Sequence, residues 1–214
     1  ERRRALAERQ LDLLFLADEY PGPLAGYAGQ ITVETYNMLA LGILHETLLR
    51  WAPPPVRVMS QVHAHIAERI DPQSGVRRAV GTPDSVQVLA VLANGARASY
   101  HCSGATPFGQ AMDIQLFGSA GVLTYDLQRD VIRGATRADG PPPKLDELKE
   151  IAIPPDKAGG WRVEADFVDA IRLGTPIRFT DFATGVQYME FTEAVARSAE
   201  EETAVELPLD DFED

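Results

Sequence analysis

The stretch DSVQVLAVLANGARASYHCS, residues 84–103, decides the fold of this chain. Two runs of β-compatible residues flank Asn94-Gly95, a dipeptide that tolerates positive φ at both central positions of a type I′ turn. A two-residue turn would fix the register by setting Ala93 opposite Ala96. The pattern therefore predicts a β-hairpin with a defined inner and outer face.

The predicted register divides the hairpin side chains between two faces. The first face, apolar enough to be core, pairs Leu89 with Tyr100, Val91 with Ala98 and Gln87 with Cys102. The second face is mixed and pairs Leu92 with Arg97, Ala90 with Ser99 and Val88 with His101. A mixed face is compatible with a partner surface. It is equally compatible with a solvated face, because single exposed apolar side chains are ordinary.

Composition and charge exclude several classes of function. The chain has 214 residues, 45% of them hydrophobic, which is enough for a sizeable core. Its formal net charge is -12 and its only basic run is at residues 2–4, so nucleic acid is an unexpected partner. We predict an N-terminal helix and linker at 1–29, followed by one α+β domain at 30–214.

The cysteine content and the length of the apolar stretches bear on the location of the protein in the cell. Cys102 is the one cysteine, so the chain cannot build an internal disulfide, a zinc knuckle or a CxxC pair. No apolar stretch reaches the roughly 18 residues that span a bilayer, and the basic start lacks the apolar core of a secretory signal. The expectation is therefore a cytoplasmic protein with no membrane partner.

The order of elements predicts an open, mostly antiparallel β-sheet with helices packed on one face. Helices are expected at Arg2–Ala17, Thr32–Trp51, Gly160–Leu173 and Phe182–Ser198, the last capped by Asp181. Strands are expected at Val56–Ile66, in the hairpin, at Met112–Phe117, 122–127 and 131–133, and near Glu150–Ile153. Asp71–Pro83 is expected to be a loop. Gly42 inside a helix costs about 1 kcal/mol against Ala, which suggests a close backbone neighbour or a bend.

Few residues form a recognisable chemical motif. The glycines of 118–121 join strand to strand, so they supply no helix N-terminus for a pyrophosphate, and the chain is expected to hold no dinucleotide site of its own. His63 and His65 lie two apart with no third ligand nearby in sequence, so no metal site is predicted. His45 lies on an otherwise apolar helix, where it is either a satisfied core residue or a functional one.

Several stretches in order resemble the C-terminal domain of the Gfo/Idh/MocA oxidoreductases, of the glucose-fructose oxidoreductase-like type, over roughly residues 30–208. The helix segment Gly42, Leu48, Leu49, Arg50 and Trp51 resembles the family pattern G-x-H-x-x-D-L-L-R-W, and IQLFGSAGVL at 114–123 resembles I-x-G-T-x-G-x-L. Further matches are Asp84 opening a strand that ends in Asn94-Gly95-Ala96, ADFVDAI at 165–171 followed by Gly174 and Pro176, Ser198-Ala199, and Leu207-Pro208.

The resemblance implies an NAD(P)-dependent oxidoreductase of a sugar, inositol or similar hydroxylated substrate. NAD or NADP would be bound by an N-terminal Rossmann domain that this chain lacks. This domain would supply substrate contacts, part of the active site, and a homo-oligomer interface through the open face of its sheet. Two alternatives stay open: a non-catalytic binding or oligomerisation module of the same fold, and an independent small protein that dimerises through its sheet.

The resemblance departs from the family in the catalytic helix. The family pattern D-x-G-x-H puts its Asp and His at positions that are Ala40 and Leu44 here, and His45 comes one residue late. One residue is about 100° of rotation on a helix, so His45 needs a local change of register to replace the usual histidine. His45 is the candidate acid/base. Tyr36 and Asn37 are candidate substrate contacts or buried structural hydrogen-bonding groups.

Overall fold

The computed structural model describes residues 30–35, 40–105, 112–137, 144–156, 162–177 and 181–210. The predicted helix Arg2–Ala17 and the candidate substrate contacts Tyr36 and Asn37 lie outside these ranges. The proposed boundary between a linker at 1–29 and a domain at 30–214 stays a prediction.

The described residues form eleven strands, three α-helices and one short 3-10 turn at Leu145–Glu147. The first strands are β1 (Gln30–Thr35), β2 (Pro55–His63), β3 (Glu68–Ile70), β4 (Arg77–Ala79), β5 (Ser85–Leu92) and β6 (Arg97–Ser103). They are followed by β7 (Met112–Phe117), β8 (Gly121–Asp126), β9 (Val131–Thr136), β10 (Lys149–Glu150) and β11 (Val205–Glu206). The helices are α1 (Ala40–Leu48), α2 (Val163–Leu173) and α3 (Phe182–Glu201).

Nine of these strands make one open sheet in the order β10-β9-β8-β7-β1-β6-β5-β2-β11, and β3 pairs with β4 separately. Within the described sheet, β1 runs parallel to β6 and the remaining neighbours are antiparallel. The predicted α+β class, with an open and mostly antiparallel sheet, is therefore confirmed.

The core lies on one face of this sheet. Strand registers align the buried side chains in rows across the sheet: one row contains Val58, Ala90, Ala98, Leu116 and Leu123. Helix α1 covers this face with Leu44 and Leu48, and α3 covers it with Phe191, Ala194 and Val195. Burial of this apolar area is the main force that holds the helices on the sheet.

The predicted hairpin exists, but its register is wrong by one residue. Val88 pairs with Tyr100 and Ala90 with Ala98, so the core face carries the residues that we had assigned to the mixed face of β5. The cause is the turn: only Gly95 has positive φ (85°), and its amide donates to the Leu92 carbonyl at 2.8 Å. A three-residue loop with one left-handed glycine replaces the type I′ turn.

A second correction concerns the helix predicted at Thr32–Trp51. Residues 30–35 are a strand in the middle of the sheet, with Val33 paired to Tyr100 on one side and to Ile114 on the other. The sequence QITVET is rich in β-branched residues, which favour strands because their side chains pack well on a pleated surface. The described helix covers only Ala40–Leu48.

The predicted loop Asp71–Pro83 is also wrong in part, because it contains β4. Strands β3 and β4 form a small antiparallel hairpin around the Asp71 turn, where the Asp71 carboxylate accepts from the Gln73 amide and the Ser74 hydroxyl. An aspartate side chain that accepts hydrogen bonds from the next residues forms a tight turn, and such a turn can join two strands in a hairpin.

Other predictions are confirmed by the described elements. Met112–Phe117 and residues 121–126 are paired strands, and Gly174 ends α2 in the left-handed conformation with its amide donating to the Ala170 carbonyl. The Asp181 carboxylate caps α3 by accepting from the Thr184 amide at 2.8 Å.

Asp84, at the start of β5, ties the small hairpin to the main sheet. Its carboxylate accepts from the amides of His65 and Ile66, both at 2.9 Å. These two amides, His65 more than Ile66, hold the pKa of Asp84 below its ordinary value despite the opposing effect of burial. The side chain therefore fixes the point where the chain leaves β2.

Two glycines give a matched stability test. A Cβ at Gly121 would lie 2.3 Å from the Ala135 carbonyl oxygen, whereas a Cβ at Gly42 meets no described atom within 4 Å. Gly121→Ala is expected to destabilise the fold by about 1–3 kcal/mol. Gly42→Ala is expected to stabilise it by up to about 1 kcal/mol. Urea unfolding measures both. Equal destabilisation by the two variants would contradict the open space at Gly42.

Candidate functional site

Helix α1 carries the one candidate catalytic residue that the structure describes. Leu41, Leu44 and Leu48 recur at helical spacing and are buried against the sheet, which orients the helix. His45 lies beside this apolar stripe and is itself 1% exposed. The helix therefore presents His45 to the interior, between the sheet and α3.

Three aromatic side chains surround the His45 imidazole. Its Nδ1 atom lies 3.0 Å from the hydroxyl of Tyr100 on β6. Its ring is stacked on Phe191 of α3, with centroids 3.6 Å apart and planes 11° apart, and it meets the edge of Tyr188 at 6.4 Å. His45 thus contacts residues of both the sheet and the last helix.

Burial determines the charge of this cluster. It lowers the pKa of His45 to about 3 and raises the pKa of Tyr100. At neutral pH both side chains are uncharged, and the tyrosine hydroxyl can donate to a bare Nδ1 or accept from a protonated one. The hydrogen bond gives a partner to two buried polar groups, the imidazole on α1 and the tyrosine hydroxyl on β6.

The position of His45 bears on its predicted chemistry. Leu44, at the position of the family histidine, is fully buried, and His45 is nearly so. The one-residue shift therefore does not bring an imidazole to the surface of the described structure. His45 as the acid/base stays a prediction, and the observed contacts show that it also joins α1, β6 and α3.

Sequence reasoning missed the partners of His45. The sequence predicts Tyr100 on the core face of β6, and a buried tyrosine hydroxyl needs a hydrogen-bonding partner, which is the available signal. The pairing itself could not be predicted, because residues 45 and 100 are brought together only by the tertiary fold. The ion pair between Glu46 and Arg50 was also missed. Their side chains lie 2.7 Å apart, and the i,i+4 spacing favours such an ion pair on a helix.

His63, His65 and Cys102 are further residues whose side chains could bind a metal ion or act in catalysis. The rings of His63 and His65 lie 4.5 Å apart at the end of β2. Among the residues that the structure describes, no three His, Cys, Asp or Glu side chains are arranged to hold a metal ion. Cys102 is buried, and burial raises the pKa of its thiol to about 12, so it behaves as a small apolar residue.

No helix in the described ranges is long and apolar enough to cross a bilayer.

One protein-family model matches part of the chain. Residues 37–124 match the model of the GFO/IDH/MocA C-terminal domain. This range contains α1, the central hairpin and the IQLFGSAGVL stretch, three of the segments that carried the resemblance. A search of curated proteins found no match.

Solved structures extend the comparison to nearly the whole chain. Levoglucosan dehydrogenase in complex with NADH and L-sorbose matches with a TM-score of 0.75 and 19% identity, over 95% of this chain and 65% of that one. An oxidoreductase domain protein from Kribbella flavida matches at 0.73 and 17%, over 95% and 66%. The WlbA dehydrogenase from Chromobacterium violaceum with NADH and UDP-GlcNAcA matches at 0.69 and 17%, over 98% and 61%.

These matches establish the fold. Because the chain spans less than two thirds of each of these three proteins, about a third of each lies outside the matched fold.

Burial of a neutral His45 predicts a specific pH dependence of stability. Its pKa is about 3 in the folded chain and about 6.5 when unfolded, so the unfolded state binds the extra proton between these values and stability falls as pH decreases. From pH 7 to pH 5, this single group is expected to remove about 2 kcal/mol of the free energy of unfolding. His45→Phe keeps the ring stacked on Phe191 and should lose this component.

Urea unfolding at the two pH values measures the effect, and the exposed His63→Phe is the control that should retain it. An identical pH dependence in His45→Phe and the unsubstituted chain would contradict a buried, neutral imidazole.

Proposed function

Because residues 37–124 match the model of the GFO/IDH/MocA C-terminal domain, we propose that this chain is the substrate-binding and oligomerisation part of an NAD(P)-dependent oxidoreductase. The proposed substrate is a sugar, an inositol or a similar hydroxylated molecule. The domain match carries the proposal. The same fold in a levoglucosan dehydrogenase and in WlbA, both in complex with NADH, supports NAD(H) as the cofactor.

The glycine-containing loop between β7 and β8 does not fit the pyrophosphate of a dinucleotide. In the loop between β7 and β8, Gly118 and Gly121 bond to each other across a turn between antiparallel strands, so no helix N-terminus follows to bind a pyrophosphate. The proposal therefore assigns the nicotinamide to a nucleotide-binding domain outside the described fold, and hydride chemistry with it. The task left to this chain is to bind and orient the substrate.

Within this proposal, the N-terminal end of α1 is the substrate side. Gly42 is partly exposed and has open space where a Cβ would lie, whereas the opposite stripe of the helix is buried. Tyr36 and Asn37 precede the helix and are proposed to contact the substrate hydroxyls. His45 lies about one helical turn after Gly42. It is proposed as the acid/base, acting through the hydrogen bond that it shares with Tyr100.

The residues at the catalytic positions of α1 support a second function, a non-catalytic module of the same fold. Ala40 and Leu44 occupy the usual Asp and His positions, Leu44 is fully buried, and the pKa of His45 is far below neutral because of burial. Such a histidine serves packing as well as it would serve catalysis.

Oligomerisation is proposed to use the face of the sheet that lies opposite the helices. Leu89 and Met59 are adjacent in register on this face and are 64% and 48% exposed. Exposed Gln87, Arg97 and His101 surround them on β5 and β6. A mixed surface of this kind, apolar at the centre with a polar rim, is typical of an interface between copies.

Activity of the complete gene product tests the proposed function. We expect reduction of NAD+ or NADP+, followed by the absorbance of the reduced nicotinamide, with at least one member of a panel of monosaccharides, anhydrosugars, inositols and UDP-sugars. General acid/base catalysis contributes about 100-fold or more, so His45→Phe should lower kcat by at least that factor. The exposed His63→Phe is the matched control.

Three outcomes are distinguishable. Turnover that is unaffected by His45→Phe would refute the acid/base role and leave the oxidoreductase standing. Turnover that is lost in His45→Phe and retained in His63→Phe would support both the oxidoreductase activity and the acid/base role of His45. Absence of nicotinamide-dependent turnover across the whole panel would favour the non-catalytic module.

The oligomer proposal has its own test in the chain itself. Leu89→Glu puts a charge at the centre of the proposed interface without disturbing the core, since Leu89 is already exposed. Sedimentation analysis should show dimers or larger species for the unsubstituted chain and a smaller species for the variant. A monomeric unsubstituted chain, or an unchanged oligomer in Leu89→Glu, would contradict the proposal.

A further inference from the structure

The turn that joins β5 to β6 contains Asn94-Gly95, and these two residues have a chemistry that the proposed function does not use. An asparagine followed by glycine can lose its side-chain amide, because glycine has no side chain to keep its backbone nitrogen away from the asparagine Cγ atom. Residues 93–95 are exposed, so water reaches the turn. The sequence and the exposure together make Asn94 a candidate site of covalent modification.

The reaction uses only atoms of the turn, a solvent base and water. The backbone nitrogen of Gly95 loses its proton to the base and forms a bond to Cγ of Asn94, and the side-chain nitrogen leaves as ammonia. The product is a five-membered succinimide ring. Water then opens the ring at one of its two carbonyl carbons. Opening at Cγ gives aspartate, and opening at the backbone carbonyl gives isoaspartate.

Hydrogen bonds hold both reacting groups in the folded turn. The Gly95 amide donates to the Leu92 carbonyl at 2.8 Å, so its N–H points at Leu92 and its proton is engaged. The Oδ1 atom of Asn94 accepts from the Ala96 amide at 3.0 Å, which fixes the orientation of the carboxamide. Attack of the Gly95 nitrogen on Cγ therefore requires that its bond to Leu92 is broken first.

Further hydrogen bonds oppose the opening of the turn. The Ala93 amide donates to the Pro54 carbonyl at 3.0 Å, which ties the turn to the residue before β2. The Arg97 guanidinium donates to the Gly95 carbonyl at 2.6 Å. Chain tips open more readily than the centre of a sheet, but each of these bonds lowers the population of the open turn.

We propose that Asn94 is a modification site that deamidates through a succinimide with Gly95, and that the native turn limits this reaction to molecules whose hairpin end has opened. Ring closure is slow relative to reclosing of a hairpin, so the rate of modification follows the fraction of open turns. The turn needs glycine for its φ of 85° and the asparagine oxygen for the bond to Ala96. The residues that build the turn are therefore also the residues that react.

The two products have different effects on the hairpin. Aspartate keeps the side-chain oxygen that accepts from the Ala96 amide, and adds a negative charge on an exposed turn that also contains the contact of Arg97. Isoaspartate inserts one methylene into the backbone of a three-residue loop, which changes the spacing between the ends of β5 and β6. Aspartate is expected to preserve the stability of the fold, and isoaspartate to reduce it.

Incubation of the 214-residue chain in one mildly alkaline buffer, with and without urea, tests the modification site. Trypsin releases residues 79–97 as one peptide, whose mass shows the conversion of the Asn94 amide to a carboxyl group. Deamidation of Asn94 is expected to be at least about 10-fold slower in the native chain than in the unfolded chain.

Asn37 is the internal control, because it is the other asparagine of the chain and is followed by Met38, whose side chain hinders the same ring closure. In urea, Asn94 should react faster than Asn37. Equal rates at Asn94 in the native and the unfolded chain would overturn the protective role of the turn. Reaction of Asn94 no faster than that of Asn37 in urea would overturn the modification site itself.

Urea unfolding of the products tests the effect on the hairpin. Ion exchange separates the deamidated chains, and the retention of peptide 79–97 beside synthetic aspartate and isoaspartate standards identifies each form. The isoaspartate form should unfold at a lower urea concentration than the unmodified chain, and Asn94→Asp should unfold at the same concentration as the unmodified chain. Equal midpoints of the isoaspartate form and Asn94→Asp would contradict a turn that has no room for an added backbone atom.

Discussion

Burial of one face of the β5–β6 hairpin is the constraint on which the rest of the structure depends. Val88 and Tyr100 meet at its centre, β1 and β2 extend the sheet on either side, and α1 and α3 cover the side chains that face inward. Tyr100 brings a polar hydroxyl into this layer, and His45 satisfies it. The candidate catalytic residue is therefore also part of the packing that holds α1 in position.

The two sides of the sheet expose different surfaces. The side opposite the helices is mixed, with exposed Leu89 among polar residues, and is the proposed interface between copies. The helical side carries α1, the candidate substrate helix, and exposes apolar side chains of α2 and α3. The two proposed roles, oligomerisation and substrate binding, therefore fall on opposite sides of the sheet.

The sequence predicted the class of fold because periodic patterns and turn residues are local signals. It failed where a local signal was ambiguous: Asn94-Gly95 fits both a two-residue and a three-residue turn, and the choice moves the β5 side chains to the other face while those of β6 stay where they were predicted. Residues 32–35 were assigned to a helix although their β-branched side chains favour a strand. The contact of His45 with Tyr100 joins residues 55 apart in sequence and became visible only in the fold.

The central claim is that this chain supplies the substrate half of a nicotinamide-dependent enzyme whose nucleotide site lies elsewhere. Calorimetric titration of NADH and NADPH into the 214-residue chain, beside the complete gene product, tests it most directly. The account predicts binding of one nucleotide to the gene product and none to the chain at the same concentrations. Binding to the chain with comparable affinity, or to neither protein, would contradict it.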